Sequence, residues 1–552
     1  MVSTWKPVTS TSFSQSSVQI TAPPPSPMII VDRKVLFRLP MVITFAGSLT
    51  APNTSLLQIG VQDALRQFPI SSIIQTLTIT LNNTQVSINM NDTILSLLRY
   101  YTGTDERQYD LSLSPSMPDQ YQTYGDWVLY GDARNPLALY GENSAEMSRG
   151  GFPLDSYVDS GAAGAVINVT PTEPIFLSPF LFKHFMSSGF IGLQTMDFNI
   201  SFDANLARVW SHAQPTAINP GANTLSSVTV NFMGAVGGNP TMLFNYITPQ
   251  QLMPVPRSVV YPYYIIDRYP TDNAVVVPAP VAPATGVPFT VSSQNIQLHS
   301  IPNRIYVFAR RSNATRTFAT SDTYAYLQNL NINWNNNSGL LSSASPQDLY
   351  RMSVDNGCNL GWPQWSRYVG SVCAVEFGKD IALPDLECPG QLGTFQLQLT
   401  AQFQNVSDDP AGIAFTLYIV VVSEGTFTIM ENRSIAQIGV MSKQDVLHAQ
   451  SMPYVDYDMV QKYYAGDFFG SIGDFLNRAY SGIKHVASDV ASGAERAIDL
   501  GNKALPIVKA VAPLLPAMRR GKGTTGGNVV GGKRGGAMMS RAELRERANG
   551  DF

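Results

Sequence analysis

NIQLHSIPNRIYVFARRSNATRTFATSDTYAYLQNLNINWNNNSGLLSSASPQDLYRMSVDNG, residues 295–357, is the stretch whose pattern decides the fold class. Ile296 and Leu298 alternate with polar neighbours, and Ile305, Val307 and Ala309 do so again after a Pro302-Asn303 turn. Alternation of this kind puts one face of a strand in a core and the other in solvent. Leu327, Leu330, Ile332 and Trp334 make a third apolar segment, which runs into the polar tract Asn335-Asn336-Asn337-Ser338-Gly339. Ser345-Pro346-Gln347-Asp348 then opens a helix. Ser345 serves as N-cap, Pro346 fits the first helical position where no N–H is needed, and Asp348 lies near the positive end of the helix dipole. Gly357 ends it. Strands broken by long polar loops, with one short helix on a loop, suit a shell-building β-protein better than a catalyst.

The composition agrees. The chain has 552 residues, enough for two or three domains. Only 14% of them are charged, against roughly 25% in an average soluble protein. Such a surface is covered by Ser, Thr, Asn and Gln or is buried against other chains. The 37 prolines and 42 glycines point to many turns and away from a helical protein. A net charge of −4 leaves the whole chain without a basic footprint for nucleic acid. Cys358, Cys373 and Cys388 are odd in number, so they form no closed disulfide framework, and no His or Cys lies at metal-ligand spacing beside them. The N-terminus MVSTWKPVTSTSFSQSS lacks an apolar core for a signal peptide. The N-x-S/T triplets at Asn82, Asn313 and Asn432 therefore read as polar turns. The apolar run at 413–422 is too short to span a bilayer. The expectation is a soluble protein of a reducing compartment.

In order along the chain, residues 1–27 are Ser/Thr-rich and close on Pro23-Pro24-Pro25-Ser26-Pro27, which reads as a flexible N-terminal arm with a stiff extended end. A first β-domain is expected over 28–236. Its clearest feature is a hairpin: Leu77, Ile79 and Leu81 alternate on the way out, Asn82-Asn83-Thr84-Gln85 turn, and Val86, Ile88 and Met90 alternate on the way back. A short helix follows at 92–101, with Asp92 as its N-cap. Residues 102–165 form a long, weakly patterned excursion, and loops of this length are usually functional. A second β-domain is expected over 237–445. Within it 259–266 is a strand whose Pro262 marks an edge or bulge, 275–288 is a Pro/Ala/Val loop, and Phe395, Leu397, Leu399, Ala401 and Phe403 alternate almost without fault.

The tail is a different polymer. Over 446–518 the residues Phe468, Ile472, Phe475, Leu476, Ala479, Ile483, Val486 and Val490 recur at helical spacing, an amphipathic face for a membrane or a partner. Glycines at 470, 473, 482 and 493 each weaken such a helix by roughly 1 kcal/mol relative to alanine, so a partner surface is needed to complete it. Residues 519–552 carry eight Lys/Arg against three acidic residues in a Gly-rich background, a basic disordered end open to weak genome contact. Phosphate-binding loops, H-E-x-x-H, G-x-S-x-G and Cys/His constellations are all absent from the chain. The histidines 184, 212, 299, 448 and 485 are scattered and read as structural or surface residues. No catalytic residue, cofactor site, metal site or small-molecule substrate is expected.

At IPNRIYVFARR, LNINWNNNSGLLSSASPQDLYRMSVDNG and PGQLGTFQLQL, and at the opening IIVDRKVLFRLPMVITFAG and LTITLNNTQVSINMND, the sequence resembles double jelly-roll major capsid proteins of DNA viruses. The Polinton-like viruses, virophages and adintoviruses, related to adenovirus hexon, are the type it resembles. The resemblance spans residues 28–445. It implies an all-β chain of two consecutive jelly-roll sandwiches with a helical or disordered C-terminal tail. It further implies pseudo-hexagonal trimers, an icosahedral virion shell shared with other capsid proteins, and assembly inside the host cell. The alternatives are a single-jelly-roll RNA-virus capsid protein with a projecting domain and a lytic C-terminal peptide, or a receptor- or carbohydrate-binding spike or fibre protein. Gly-Gly pairs at 526–527, 531–532 and 535–536 resemble sites cut by adenovirus-type proteases.

Overall fold

The computed structural model describes residues 2–100 and 154–438, apart from 60–62, 181–188, 213–222, 249–257 and scattered single positions and pairs. The two ends of the β-rich region form two sandwiches. In the first, one sheet runs in the order Val2–Thr9, Thr241–Thr248, Ile30–Arg38, Thr172–Pro174. A second runs Thr224–Asn231, Met41–Ser48, Ala165–Val169, Ser156–Asp159, and a third runs Ser12–Phe13, Ser17–Ala22, Met196–Phe202, Ile74–Leu81, Thr84–Ile88. Every pairing is antiparallel. Alternate residues point inward, as a half-buried antiparallel sheet requires. Ile30–Arg38 buries Val31, Arg33, Val35 and Phe37, and Met196–Phe202 buries Met196, Phe198, Ile200 and Phe202. Phe198 meets Phe244 across the core with ring centres 5.7 Å apart.

The second sandwich has two five-stranded sheets. One is ordered Ser258–Val277, Ile413–Met430, Arg304–Arg311, Cys373–Glu376, with Arg433–Ile438 also on Ile413–Met430. The other is ordered Val287–Ser292, Leu392–Asn405, Tyr326–Trp334, Asn337–Leu340, with Ile296–Ser300 also on Leu392–Asn405. Phe289 stacks on Phe415 at 4.8 Å and Trp334 meets Phe377 at 4.7 Å, which ties the two layers together. Pro262 lies on the outermost strand of its sheet, where a missing N–H breaks no ladder. The uneven spacing of Leu327, Leu330 and Ile332 has a local cause. A register shift between Leu327 and Asn329 turns the strand by one residue, so all three face the core.

The hairpin pairs Leu77 with Ile88 and Ile79 with Val86, and Leu77, Ile79, Leu81, Val86 and Ile88 are buried; Met90, expected on the returning strand, is buried too but opens the helix Met90–Leu97. Its turn is tighter than expected. Asn82 and Asn83 alone form it, both at positive φ (43° and 68°), a conformation Asn tolerates better than most residues. The helix in the opening stretch, Pro346–Asp355, starts as expected: the Ser345 hydroxyl accepts from the Asp348 N–H at 3.2 Å, and the Asp348 carboxylate accepts from the Ser345 N–H at 3.0 Å. Gly357 follows it at φ 102°.

Several expectations are corrected. Residues 1–27 are not a flexible arm, because Val2–Thr9 pairs along the whole of Thr241–Thr248 and Ser17–Ala22 pairs with Met196–Phe202. Val18, Ile20 and Ala22 supply a buried period-two face that the Ser/Thr-rich composition hid. The first sandwich runs past 236, because Thr241–Thr248 is the strand between Val2–Thr9 and Ile30–Arg38. Residues 275–277 are not loop; the strand Ser258–Val277 continues through them. The excursion 102–165 ends in Ser156–Asp159 and the start of Ala165–Val169, while 101–153 lies outside the described residues. The tail segments 446–518 and 519–552, with the face from Phe468 to Val490, also lie outside them. Ile20→Ala is expected to lower the unfolding free energy by about 2–5 kcal/mol, read by urea denaturation, whereas a mobile arm would leave it unchanged.

Candidate functional site at the junction of the two sandwiches

Arg304–Arg311 in the second sandwich is buried on both faces, although its sequence alternates like a half-exposed strand. One face looks into its own core through Ile305, Val307 and Ala309. The other carries Tyr306, Phe308 and Arg310, and the first sandwich covers it. The covering element is the helix Met90–Leu97, hereafter α2, counted after α1 at Pro69–Ile73, together with the tight turn Leu98–Tyr100 that continues it.

Asp92 is the centre of this contact. It is not the N-cap of α2, since Asn89 holds that position; it sits in the first turn, where the helix dipole favours an anion. Its side chain is almost wholly buried and receives Arg310 at 3.2 Å and Arg268 at 2.6 Å. Asn313 donates its amide N–H at 2.7 Å and the Tyr418 hydroxyl donates at 3.3 Å. Burial alone would push the Asp92 carboxyl up, but Arg310, Asn313 and Arg268 outweigh it and hold the group below the usual carboxylate range. Arg310 also donates to the backbone carbonyl of Asn91 at 3.1 Å. Along the same wedge, Ser96 meets the Tyr324 hydroxyl at 2.9 Å, and Arg99 donates to the Gly370 carbonyl at 2.6 Å while its guanidinium lies 3.8 Å from the Tyr324 ring centre. Gly370 is required there: at φ 85° a Cβ would fall 2.4 Å from the Tyr324 carbonyl oxygen. Tyr100 packs edge-on against Tyr306 at 4.9 Å.

A second ionic cluster lies beside the first. Asp322 of the second sandwich takes Arg208 of the first, and Arg316 of its own sandwich at 3.3 Å. Burial would raise the Asp322 carboxyl; Arg208 and Arg316 hold it far below its usual range. Arg66 crosses in the same direction, donating to the carbonyls of Thr317 at 3.0 Å and Thr320 at 2.6 Å. The His212 backbone N–H donates to the Phe318 carbonyl at 2.9 Å. The His212 ring is structural: Leu225 N–H donates to Nε2 at 3.3 Å, so Nδ1 carries the proton and donates to Asp63 at 2.8 Å. His299 is exposed on its strand. Tyr261 links the remaining edge, accepting from Ile191 N–H and donating to the Gly189 carbonyl, both at 3.1 Å.

The arrangement fixes the two sandwiches in one relative orientation, and it offers no reaction. Cys358, Cys373 and Cys388 are free, and burial pushes their thiols up, Cys373 to about 12, away from thiolate chemistry. Among the described residues no three His, Cys, Asp or Glu side chains converge to hold a metal. None of the described helices is long and apolar enough to cross a membrane. Sequence reading missed Arg310 and Asp322 and misassigned Asp92. The available signal was charge itself, since in a chain this poor in charge an arginine closing the strand pattern IYVFAR is costly unless paired.

Asp322→Asn is expected to destabilise the fold by about 3–5 kcal/mol, the cost of leaving buried arginines without their counter-charge. The depressed carboxyl also sets the sign of the acid response. Its contribution is complete above about pH 4, the unfolded value, and drains as pH falls toward the folded one. Urea unfolding of both proteins at pH 7 and below pH 4 should show the gap narrowing in acid.

Comparison with known proteins places the chain in a family. Residues 2–245 match the Sputnik virophage major capsid protein 1st domain, and residues 268–369 and 367–425 match the major capsid protein V20 C-terminal domain. The putative capsid protein V20 of Sputnik virophage is 32% identical, over 98% of this chain and 93% of that protein. A chain of the Sputnik virophage structure solved by cryo-EM superposes with a TM-score of 0.74 at 32% identity, covering 84% of this chain and 93% of that one. The mavirus major capsid protein shares the fold with a TM-score of 0.66 at 15% identity, over 82% of this chain and 93% of that one. The two sandwiches are thus consecutive jelly rolls, and the chain is a structural protein of the virion rather than an enzyme. With both halves matched and the relative aligned almost end to end, the chain belongs to the family of virophage major capsid proteins.

Proposed function

We propose that the chain assembles as a trimer with a pseudo-hexagonal outline, and that these trimers tile an icosahedral shell together with other capsid proteins. One observation carries this reading: each chain holds two jelly rolls locked side by side through Asp92, Arg310, Arg208 and Asp322. Three such chains around a threefold axis present six similar sandwiches, and closed symmetry is the common way for a chain to cover its remaining edges. The outer edges support it. Trp5 on the edge strand Val2–Thr9, Tyr157 and Val158 on the edge strand Ser156–Asp159, and Val275 and Val276 on Ser258–Val277 are large apolar side chains left exposed. Unpaired edges with apolar side chains are templates for further association.

The expected role of the tail completes the proposal. Residues 446–552 lie on the inside of the shell, with the stripe Phe468, Ile472, Phe475, Leu476, Ala479, Ile483, Val486 and Val490 against a membrane or an inner partner, and cleavage at the Gly-Gly pairs of 526–536 releases the end of the tail beyond them.

Two measurements test these points. Light scattering of purified residues 1–445 should give the mass of three chains; a monomer would overturn the trimer. The chain must start at residue 1, because starting at 28 would remove Val18, Ile20 and Ala22 from the core. Intact-mass analysis of mature particles should find chains ending before Phe552, and uncut chains would refute release of the tail.

A further inference from the structure

The ionic clusters at the junction do not balance. Among the described residues, the guanidiniums of Arg208, Arg268, Arg310 and Arg316 share the carboxylates of Asp92 and Asp322. Arg208, Arg310 and Arg316 are essentially buried, so bulk solvent does not screen their excess charge. Other carboxylates in the first sandwich's part of the junction are committed elsewhere. Asp63 accepts from Trp210, His212 and the Gln58 N–H, and Asp203 accepts from Asn91 and the Asn205 N–H.

The deficit falls at Arg208. Among the described residues only its Nη2 is used, on Asp322. Nε and Nη1 are buried without a partner, and Arg316 Nε beside it is in the same state. Arg208 and Arg316 meet at one carboxylate oxygen, so their guanidiniums are neighbours. Buried N–H groups on a cation need an acceptor, and an excess of positive charge selects an anion over a neutral one. The proton affinities agree. Burial and then the neighbouring Arg316 lower Arg208, while burial and then Arg310 lower Arg316, to about 10, so each guanidinium sits in a field short of negative charge.

We propose that the junction is an anion site, in which a small monovalent inorganic anion of the halide class lies against the free N–H groups of Arg208 and Arg316. The anion neutralises the buried cluster and acts as a third component of the lock between the jelly rolls. It binds where both sandwiches contribute, Arg208 from one and Arg316 from the other, so its occupancy favours only the docked arrangement.

The test uses the full chain with bromide as the probe. Crystals grown in sodium bromide and measured at the bromine edge should show an anomalous peak within hydrogen-bonding reach of Arg208 and Arg316. Ordered water there, without anomalous signal at saturating bromide, would overturn the proposal. In solution at constant ionic strength, replacing gluconate with bromide should raise the thermal midpoint to a plateau. Arg208→Gln should lose that saturable shift. A wild-type midpoint indifferent to the anion would also overturn the proposal, and the diffraction result stands even where the variant folds poorly.

Discussion

A carboxylate buried between two arginines of another domain is an expensive object, and the rest of this molecule is arranged around it. Asp92 can stay ionised out of water only while Arg310, Arg268, Asn313 and Tyr418 hold their places. Any sliding of one sandwich on the other would strand the charge. Burial of an ion pair adds little net stability compared with an apolar contact, but breaking one is costly. The pair therefore sharpens the choice of orientation more than it deepens the fold. That is the property a capsid protein built of two jelly rolls needs. The angle between the halves is repeated in every copy, and small errors in it would accumulate across a lattice.

The sheet that receives α2 shows how this constraint shapes sequence. Arg304–Arg311 must satisfy two cores, and Ile413–Met430 beside it is a long central strand with near-continuous burial. Sheets covered on both faces lose the alternation that marks half-exposed strands. Aromatic residues with a polar tip solve the second face. Tyr306, Tyr324 and Tyr418 each pack a ring and offer a hydroxyl, and Tyr324 and Tyr418 spend theirs on Ser96 and Asp92.

What could be read from the sequence follows the same division. Signals closed within a few residues were legible. The Ser345 and Asp348 capping box, the Leu77 to Ile88 hairpin, the edge position of Pro262 and the alternation from Phe395 to Phe403 all appear as expected. Features that depend on distant partners were not. Ser17–Ala22 was hidden because its partner, Met196–Phe202, lies far along the chain, and because a Ser/Thr-rich segment before prolines looks like a tether. Asp92 was read as a helix cap for the same reason. Its local setting suits a cap, and only the second sandwich reveals a counter-ion. Arg310, Arg316 and Asp322 carry no local motif at all.

The junction also bears on the surface. Arg33, Arg66, Arg99, Arg208, Arg310, Arg311, Arg316, Asp63, Asp92, Glu173 and Asp322 are all buried. A chain with only 14% charged residues thus places a sizeable share of them inside, and the outside is poorer in charge than composition suggests. Surface charge keeps proteins apart by mutual repulsion and strong hydration. A protein that withdraws charged groups to fix an internal angle leaves fewer strongly hydrated groups to strip from its flanks, where Trp5, Val158 and Val275 stand exposed. Internal rigidity and readiness to associate therefore come from one allocation of charge. Moving these arginines outward would loosen the angle between the jelly rolls and add strongly hydrated groups to the surfaces that associate, so substitution at the junction bears on assembly through both the fold and the surface.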